Sequence, residues 1–382
     1  MAMKVLIVCN NAYMKGNGLC SAVVALRTRL IHSGIDVRIF ACENPDKQGP
    51  QPDYPQEHFV FPIFEPIVRK NGFRYSKIDK RSIREAISWA DVVHLMEGFP
   101  IEAVAAKIAK ELGKPCVGTY HLFTENITAN LGITRSTFIN KLVDKWWSSS
   151  VYNHCKCVQC PTQTVKEHLE ANGYTSELRV ISNGIDIEAT PRVEGVPSTN
   201  PYRILCVGRL AKEKDQITLI RAMRHSKHAN NIELIFAGNG PKADTIKRAA
   251  HKLFKDGIVK YEPTFCFYTH EQLREIAASS WLYIHCAKIE VEGLSCLEMI
   301  HQGLVPVIAQ GGLSATSQFA LDEHSVFPMS DYKALAERID WWIEHPEYRP
   351  KMSRLYAEST QKYSAETSTR NIIEIYESAL RK

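Results

Sequence analysis

Glu290 and Glu298 stand eight positions apart in the stretch Glu290-Val-Glu-Gly-Leu-Ser-Cys-Leu-Glu298, with a Gly-Leu step between them. If Gly293 closes a loop and Leu294 opens a helix, Glu298 falls about one turn along that helix. Glu290 then stays in the loop before it, facing the helix N-terminus. Unsatisfied N–H groups at such a terminus suit phosphate or sugar oxygens, and a carboxylate at either end can accept sugar hydroxyls. These are the polar contacts that a nucleotide-sugar needs.

Three further stretches carry compatible chemistry. Val207-Gly-Arg-Leu-Ala-Lys-Glu-Lys214 places two cations, Arg209 and Lys214, just after the apolar run Arg203–Val207. Ile235-Phe-Ala-Gly-Asn-Gly-Pro241 ends a second apolar run in a glycine-rich turn, and Ile181-Ser-Asn-Gly-Ile-Asp186 precedes a polar, proline-containing stretch. In this order and spacing the set resembles the retaining glycosyltransferases of the GT-B fold. The nearest group is family 4, which includes sucrose-phosphate synthases and phosphatidylinositol mannosyltransferases. The resemblance runs over nearly the whole chain and is densest in its second half.

The resemblance implies roles. Glu298 matches the family carboxylate that accepts ribose hydroxyls, Glu290 the one that contacts the donor hexose, and the amides of Gly293 and Leu294 would cradle phosphate or a sugar hydroxyl. Cleaving a sugar–diphosphate bond leaves charge that cations and N–H dipoles must stabilise. The chain has no Asp-x-Asp pair to hold a metal, so Arg209 and Lys214 are the expected diphosphate clamp, without metal or cofactor. Gly18, in Gly16-Asn-Gly18, matches a loop that meets the diphosphate from the other domain. His121, just past the strand-like Pro115–Thr119, matches the family histidine near the donor sugar. Glu125-Asn126-Ile127-Thr128 resembles bacterial diacylglycerol glucosyltransferases in particular. Two positions depart from the family pattern: His285-Cys286 stands where Pro-Ser is usual, and Val291-Glu292 where a small residue and Phe are usual. Glu292 is read as a solvent-facing loop residue or as an added charge beside the sugar pocket. The implied mechanism retains anomeric configuration by front-face substitution, the leaving phosphate taking the acceptor's proton.

Positioning these residues requires a scaffold, and the chain supplies one twice. Strand-like and helix-like stretches alternate from Lys4–Cys9 through Leu19–Ser33, Asp36–Ala41, Arg81–Trp89, Asp91–Leu95 and Pro100–Gly113. The pattern restarts at Arg203–Val207, Gln216–Arg224, Ile232–Ala237 and Lys242–Leu253. Such alternation argues for parallel sheets covered on both faces. The expected fold is α/β, with two Rossmann-like domains facing each other across a cleft. Residues 1–187 would form an acceptor-binding domain and 201–364 a donor-binding one. Residues 188–200, with no periodicity, would be the linker, and by resemblance a last helix near 365–382 returns to the first domain.

The 382 residues, 45% hydrophobic and 23% charged, are those of a soluble two-domain protein. Apolar runs are too short to span a membrane, and the N-terminus reads as a first strand, not a signal peptide. Eleven scattered cysteines read as reduced, hence a cytoplasmic location. His154-Cys-Lys-Cys-Val-Gln-Cys160 could ligate zinc, but the alternation fits an ordinary strand, which is the reading adopted.

Between Tyr54 and Arg84, aromatic and apolar residues interleave with Arg69, Lys70, Arg74 and further cations. A second cluster, Phe138–Trp147, adds Trp146 and Trp147 beside Lys141 and Lys145. Basic and aromatic interleaving suits an anionic membrane surface, so peripheral association at the inner face of the cell membrane is expected. The net charge of +5 and the absence of binding motifs argue against nucleic acid. The function expected is transfer of a hexose, from UDP-glucose or UDP-galactose, to diacylglycerol or ceramide. The alternatives are a hexosyltransferase of capsule or lipopolysaccharide assembly and a non-catalytic nucleotide-sugar binding protein.

Overall fold

The computed structural model describes residues 2–14, 18–60, 62, 65–70, 73–130, 137–193 and 195–381, with only the backbone described for residues 67, 70, 127, 129, 130 and 137. The chain divides into two compact units, one of Met1–Gly184 with Glu366–Lys382 and the other of Ile185–Ala365.

In the first unit, strands β1 (Lys4–Val8), β2 (Asp36–Cys42), β3 (Tyr54–Gln56), β4 (Val92–Leu95), β5 (Cys116–Thr119), β6 (Cys157–Cys160) and β7 (Glu177–Val180) form one parallel sheet. Its order is β3-β2-β1-β4-β5-β6-β7. The central strands are buried along their lengths, and Val5–Val8 of β1 accordingly reads as an unbroken apolar run rather than an alternating one. Helices α1 (Gly18–His32), α2 (Glu65–Lys70), α3 (Lys80–Trp89), α4 (Pro100–Glu111), α5 (Thr124–Asn130), α6 (Thr137–Ser150) and α7 (Gln163–Ala171) connect them. α1 turns Cys20, Val23, Leu26 and Leu30 inward at helical spacing. α3 starts where Asp79 accepts hydrogen bonds from the amides of Arg81 and Ser82.

In the second unit, β8 (Tyr202–Val207), β9 (Ile232–Ala237), β10 (Thr264–Cys266), β11 (Leu282–His285), β12 (Val305–Gln310) and β13 (Val326–Pro328) form a parallel sheet of order β10-β9-β8-β11-β12-β13. Its helices are α8 (Gln216–Ala222), α9 (Ala243–Lys255), α10 (His270–Ser279), α11 (Leu294–His301), α12 (Tyr332–Glu344) and α13 (Arg349–Ser359). One contiguous core, with Phe236, Tyr283, Trp342 and Tyr356 fully buried, fills the unit. Both sheets place the reversal of strand order beside their first strand, where doubly wound folds bind ligands.

Of residues 188–200, expected as a linker, the described ones (188–193 and 195–200) belong to the second unit. Arg192 donates to Ser353 Oγ (3.1 Å), the Val193 amide to Gln302 (3.1 Å) and the Ser198 amide to the Ser279 carbonyl (2.9 Å). The polar, aperiodic composition reflects a surface strap rather than a free tether. The last helix, α14 (Ala365–Leu380), buries Ile372, Ile375, Tyr376 and Ala379 in the core of the first unit.

A directed chain of buried hydrogen bonds anchors α14. Thr119 donates to Gln159 Oε1 (2.8 Å), so its oxygen accepts from His94 Nε2 (2.7 Å), and His94 Nδ1 then accepts from Tyr376 OH (2.7 Å). Burial disfavours the imidazolium and lowers the His94 pKa from its ordinary 6.5 to about 3, His121 adding to the shift. Between those values the unfolded chain binds a proton that the folded chain refuses, so stability falls as pH drops through this window. Replacing His94 with Gln should remove that contribution. Equilibrium unfolding from pH 7 down to pH ~4 should show a shallower acid-side loss in His94→Gln than in the wild type.

Candidate active site

The glycine-rich turns of the second unit are explained by contact between two backbones. After β8, Gly208-Arg209-Leu210 runs against Gly238-Asn239-Gly240 after β9. The Gly208 amide donates to Ala237 O (2.9 Å), that of Leu210 to Asn239 O (3.0 Å) and that of Lys242 to Leu210 O (2.9 Å). A Cβ on Gly238 would lie 2.1 Å from Gly208 O, and one on Gly240 2.5 Å from Leu210 O. Only glycine permits this approach, and the approach fixes where Arg209 leaves the sheet. Gln216 secures the Arg209 carbonyl at 2.9 Å, while the guanidinium forms an ion pair with the buried carboxylate of Glu213.

Lys214 closes the short turn Lys212–Lys214. Asp215 follows in the left-handed region (φ 49°), pinned by Thr218 (2.7 Å), Ser330 (3.1 Å) and Lys288 (3.0 Å). These anchors aim the Lys214 ammonium at Glu290, with which it forms an ion pair. Glu290 lies on the two-residue strand Ile289–Glu290, paired in parallel with Leu313–Ser314. Burial alone would raise its pKa. Lys214 and His285 outweigh burial and hold the carboxyl down to about 2, so it is ionised at any physiological pH.

Gly293 (φ 83°) precedes α11 in the left-handed conformation, and a Cβ there would stand 2.3 Å from Thr316 Cγ2. Helix α11 therefore starts at Leu294, with its leading amides free of intrahelical acceptors. Its inner side, Cys296, Leu297, Met299 and Ile300, is buried in the core. Leu294 and Glu298, four residues apart on another side, are half-buried. No described hydrogen bond reaches the Glu298 carboxylate. Its pKa is raised by burial, opposed by His270, leaving its oxygens available as acceptors.

In the first unit, His121 stands two residues past the end of β5. Its Nε2 is buried without a hydrogen-bond partner, and burial lowers its pKa to about 4, so it presents a neutral, unsatisfied imidazole. Gly18 is the first residue of α1; Gly16 and Asn17, the rest of that motif, lie outside the described residues. Thus the structure joins Lys214 directly to Glu290 and places Arg209, Gly293, Leu294 and Glu298 in the same unit, whereas Gly18 and His121 belong to the other.

The expected acceptor residues divide. Trp147 is not a surface anchor. It is 2% exposed, seated on Gly98, where a Cβ would meet its ring at 2.6 Å, with Phe99 and Tyr120 edge-on. Arg69 is exposed but ion-paired with Glu65 (2.7 Å), and Arg74 is half-buried, its carbonyl accepting from Asn11 (2.8 Å). The Lys70 side chain lies outside the described residues, as do Phe61, Ile63 and Phe64. Phe73 and Tyr75 pack with Phe99 instead of facing solvent. Trp146 is 39% exposed, and with Phe138 (70%) and Leu142 (51%) it forms an apolar stripe at helical spacing on α6, beside exposed Lys141 and Lys145. Cys157–Cys160 is the strand β6.

The surroundings of several residues at the site escaped the sequence reading. Glu213 is buried under Arg209, and Glu292, read either as solvent-facing or as an added charge beside the sugar pocket, is buried too, against the first of those readings. His285 lies against Glu290; its departure from the usual Pro-Ser was the one signal that could have found it.

Comparison with known proteins accords with these features. Residues 16–189 match Glycosyltransferase Family 4, and residues 187–358 match Glycosyl transferases group 1. The chain is 24% identical over 320 residues to alpha-monoglucosyldiacylglycerol synthase of Streptococcus pneumoniae, covering 77% of this chain and 68% of that protein. The solved catalytic domain of cholesterol-alpha-glucosyltransferase from Helicobacter pylori is 42% identical, covering 43% of this chain and 99% of the domain, with a TM-score of 0.40. HepE from Anabaena, solved with UDP and glucose, has a TM-score of 0.70 at 16% identity, covering 98% of this chain and all (100%) of that one.

Proposed function

Because this chain belongs to the family 4/group 1 glycosyltransferases of the GT-B fold, a retaining family that moves a sugar from a nucleotide-sugar, we propose that it transfers a hexose from a UDP-hexose to a lipid hydroxyl. Diacylglycerol or a ceramide would serve as acceptor, at the inner face of the cell membrane, giving an α-glycolipid. On the donor side, Arg209 and Lys214 take the diphosphate, Glu298 the ribose hydroxyls and Glu290 the hexose. The amides of Gly293 and Leu294 hold the phosphate or a sugar hydroxyl, and Gly18 keeps the diphosphate-loop role that its resemblance implies. UDP is the nucleotide found with HepE.

The reaction proceeds on one face of the sugar. The acceptor oxygen bonds to the anomeric carbon as the bond from that carbon to the diphosphate oxygen breaks. The acceptor's proton passes to the departing phosphate, and UDP leaves. His121, neutral and with its buried Nε2 unsatisfied, hydrogen-bonds the hexose. Glu290, ionised, faces the positive charge that develops at the anomeric centre.

The observation that carries the lipid acceptor is the stripe of Phe138, Leu142 and Trp146 on α6, flanked by Lys141 and Lys145. Such a face seats in an anionic interface by burying apolar area and attracting lipid charge. No described helix is long and apolar enough to cross a membrane, and the association read from the α6 face is a peripheral one. The Streptococcus relative is named for a glucosyldiacylglycerol product.

A mass-spectrometric assay of transfer from UDP- and GDP-hexoses to diacylglycerol and ceramide in anionic vesicles tests the whole reading. Glycolipid formed by the wild type should vanish in Glu298→Ala and fall about tenfold in Leu142→Glu, which sets a charge into the apolar stripe. Donor hydrolysis without glycolipid would overturn the lipid acceptor in favour of a saccharide. Absence of donor binding would overturn the donor side.

A further inference from the structure

Behind Glu290 lies a pair of buried polar side chains that take no part in the reaction described above. Tyr283 and His285, two residues apart on β11, share one face of the strand and are 0% and 3% exposed. Tyr283 OH is 2.9 Å from His285 Nδ1, and the Ser295 hydroxyl, in the first turn of α11, interacts with the same phenol. The second imidazole nitrogen, Nε2, lies 3.5 Å from Glu290 Oε2. That is longer than a formed hydrogen bond, and Nε2 is buried with no other partner.

The proton positions follow from charge. A lone pair on Nε2 would face an ionised carboxylate, so the ring proton belongs on Nε2, and Nδ1 accepts from Tyr283 OH. Tyr283 thereby sets both the tautomer and the tilt of the ring, as second partners of functional histidines commonly do. The imidazole stays neutral: burial lowers its pKa, although Glu290 opposes the shift.

We propose that Tyr283 and His285 hold Glu290 in place during turnover: as Lys214 turns from Glu290 to the donor diphosphate, the His285 Nε2–H closes on the carboxylate and keeps it aimed at the hexose. The inference rests on the donor site proposed above. Its motive is that Lys214 cannot serve two anions fully. In the structure it pairs with Glu290, and a diphosphate carries more charge than a carboxylate. Glu290, deprived of its lysine in a largely desolvated position, would pivot or take up a proton unless another donor stood ready. His285 Nε2–H is the unspent donor at that place. His285 is therefore a positioning residue, touching Glu290 and not the sugar, and Tyr283 positions His285 in turn.

The test measures kcat and KM for UDP-glucose, UDP affinity by calorimetry and the thermal unfolding midpoint in wild type, His285→Phe, His285→Gln and Tyr283→Phe. His285→Phe should lose about 30- to 100-fold in kcat, as expected when a reacting group is misplaced by about an ångström. UDP, which lacks the hexose, should bind within about twofold of wild type, because the diphosphate clamp is intact. His285→Gln, whose carboxamide can present an N–H near the Nε2 position, should recover most of the lost rate; Tyr283→Phe should fall between. The inference is overturned if His285→Phe leaves kcat unchanged. It is equally overturned if kcat, UDP affinity and the unfolding midpoint fall together without rescue by Gln, which would mark a histidine that only holds the fold. A wild-type protein that binds UDP but neither binds nor turns over UDP-glucose would overturn the donor reading, and this inference with it.

Discussion

Glu290→Gln is expected to lower kcat for sugar transfer by about 10²- to 10³-fold while UDP affinity stays equal or tightens. The substitution preserves shape and removes one negative charge. In the transition state positive charge grows on the anomeric carbon, and a carboxylate already ionised and desolvated stabilises it without reorganising. A carboxamide at the same place does not. The opposite effect on UDP follows from the ion pair. Lys214 is engaged by Glu290 and held there by a loop that Asp215 ties to Thr218, Ser330 and Lys288. Neutralising Glu290 releases the ammonium to the diphosphate. Steady-state kinetics with UDP-glucose, set beside calorimetric titration with UDP, separates the two effects. If UDP binding were lost together with turnover, the role assigned to Glu290 in transfer would fall, and the carboxylate would be no more than an anchor for Lys214.

The largest stability effect is expected from one methyl group. Gly238→Ala should destabilise the second unit by more than about 3 kcal/mol, well above the usual effect of a point substitution. A Cβ at 238 would lie 2.1 Å from Gly208 O and 2.9 Å from Gly208 C. Those are backbone atoms, which cannot rotate aside as a side chain would. Nor can the strands separate: the Gly238 amide donates to Cys266 O (2.9 Å) and the Gly208 amide to Ala237 O (2.9 Å). The φ of 148° at Gly238 adds backbone strain for any L residue. Gly34→Ala is the natural control. Its φ of 81° is equally unsuited to alanine, but nothing lies within 4 Å of the added Cβ, so it should cost only about 1 kcal/mol. Urea unfolding of both variants decides the matter; equal losses would show that steric contact with Gly208 is unimportant. Any folded Gly238→Ala protein should also bind UDP weakly, because the same contact sets the exit of Arg209 from β8.

Much of this protein can be read from local sequence, for identifiable reasons. Strands buried on both faces of a parallel sheet, such as Val5–Val8, read as apolar throughout, and that pattern is visible without a structure. Glycine before Leu294 marks a left-handed residue at a helix start, since few other residues tolerate it. The spacing of Glu290 and Glu298 around that glycine then places both carboxylates relative to the α11 N-terminus. Glycines at 208, 238 and 240 could be noticed, though the backbone contact that requires them could not be derived.

The same local signals failed where partners come from distant segments. Lys214 and Glu290 are 76 residues apart, and no rule of periodicity or turn chemistry selects that pairing. Only the adjacency of β8 and β11 in the sheet brings the loops beyond them together. Burial misled in the same way. Trp147 and Tyr75 share the composition of a membrane-facing patch with Trp146, yet Trp147 is packed over Gly98 while Trp146 faces outward. On one helix, neighbours in sequence point in different directions, and which direction is covered depends on Gly98, Phe99 and Tyr120, which come from other segments and lie against Trp147. Glu292 sits in a loop of polar character but is buried. Dihedral preference and hydrophobic period, which act within a few residues, determined the elements, the two sheets and the order of the motifs along the chain. Which charge meets which, and which nitrogen of His285 carries its proton, was decided by packing alone, because electrostatic and desolvation energies depend on distances that only the assembled sheet defines.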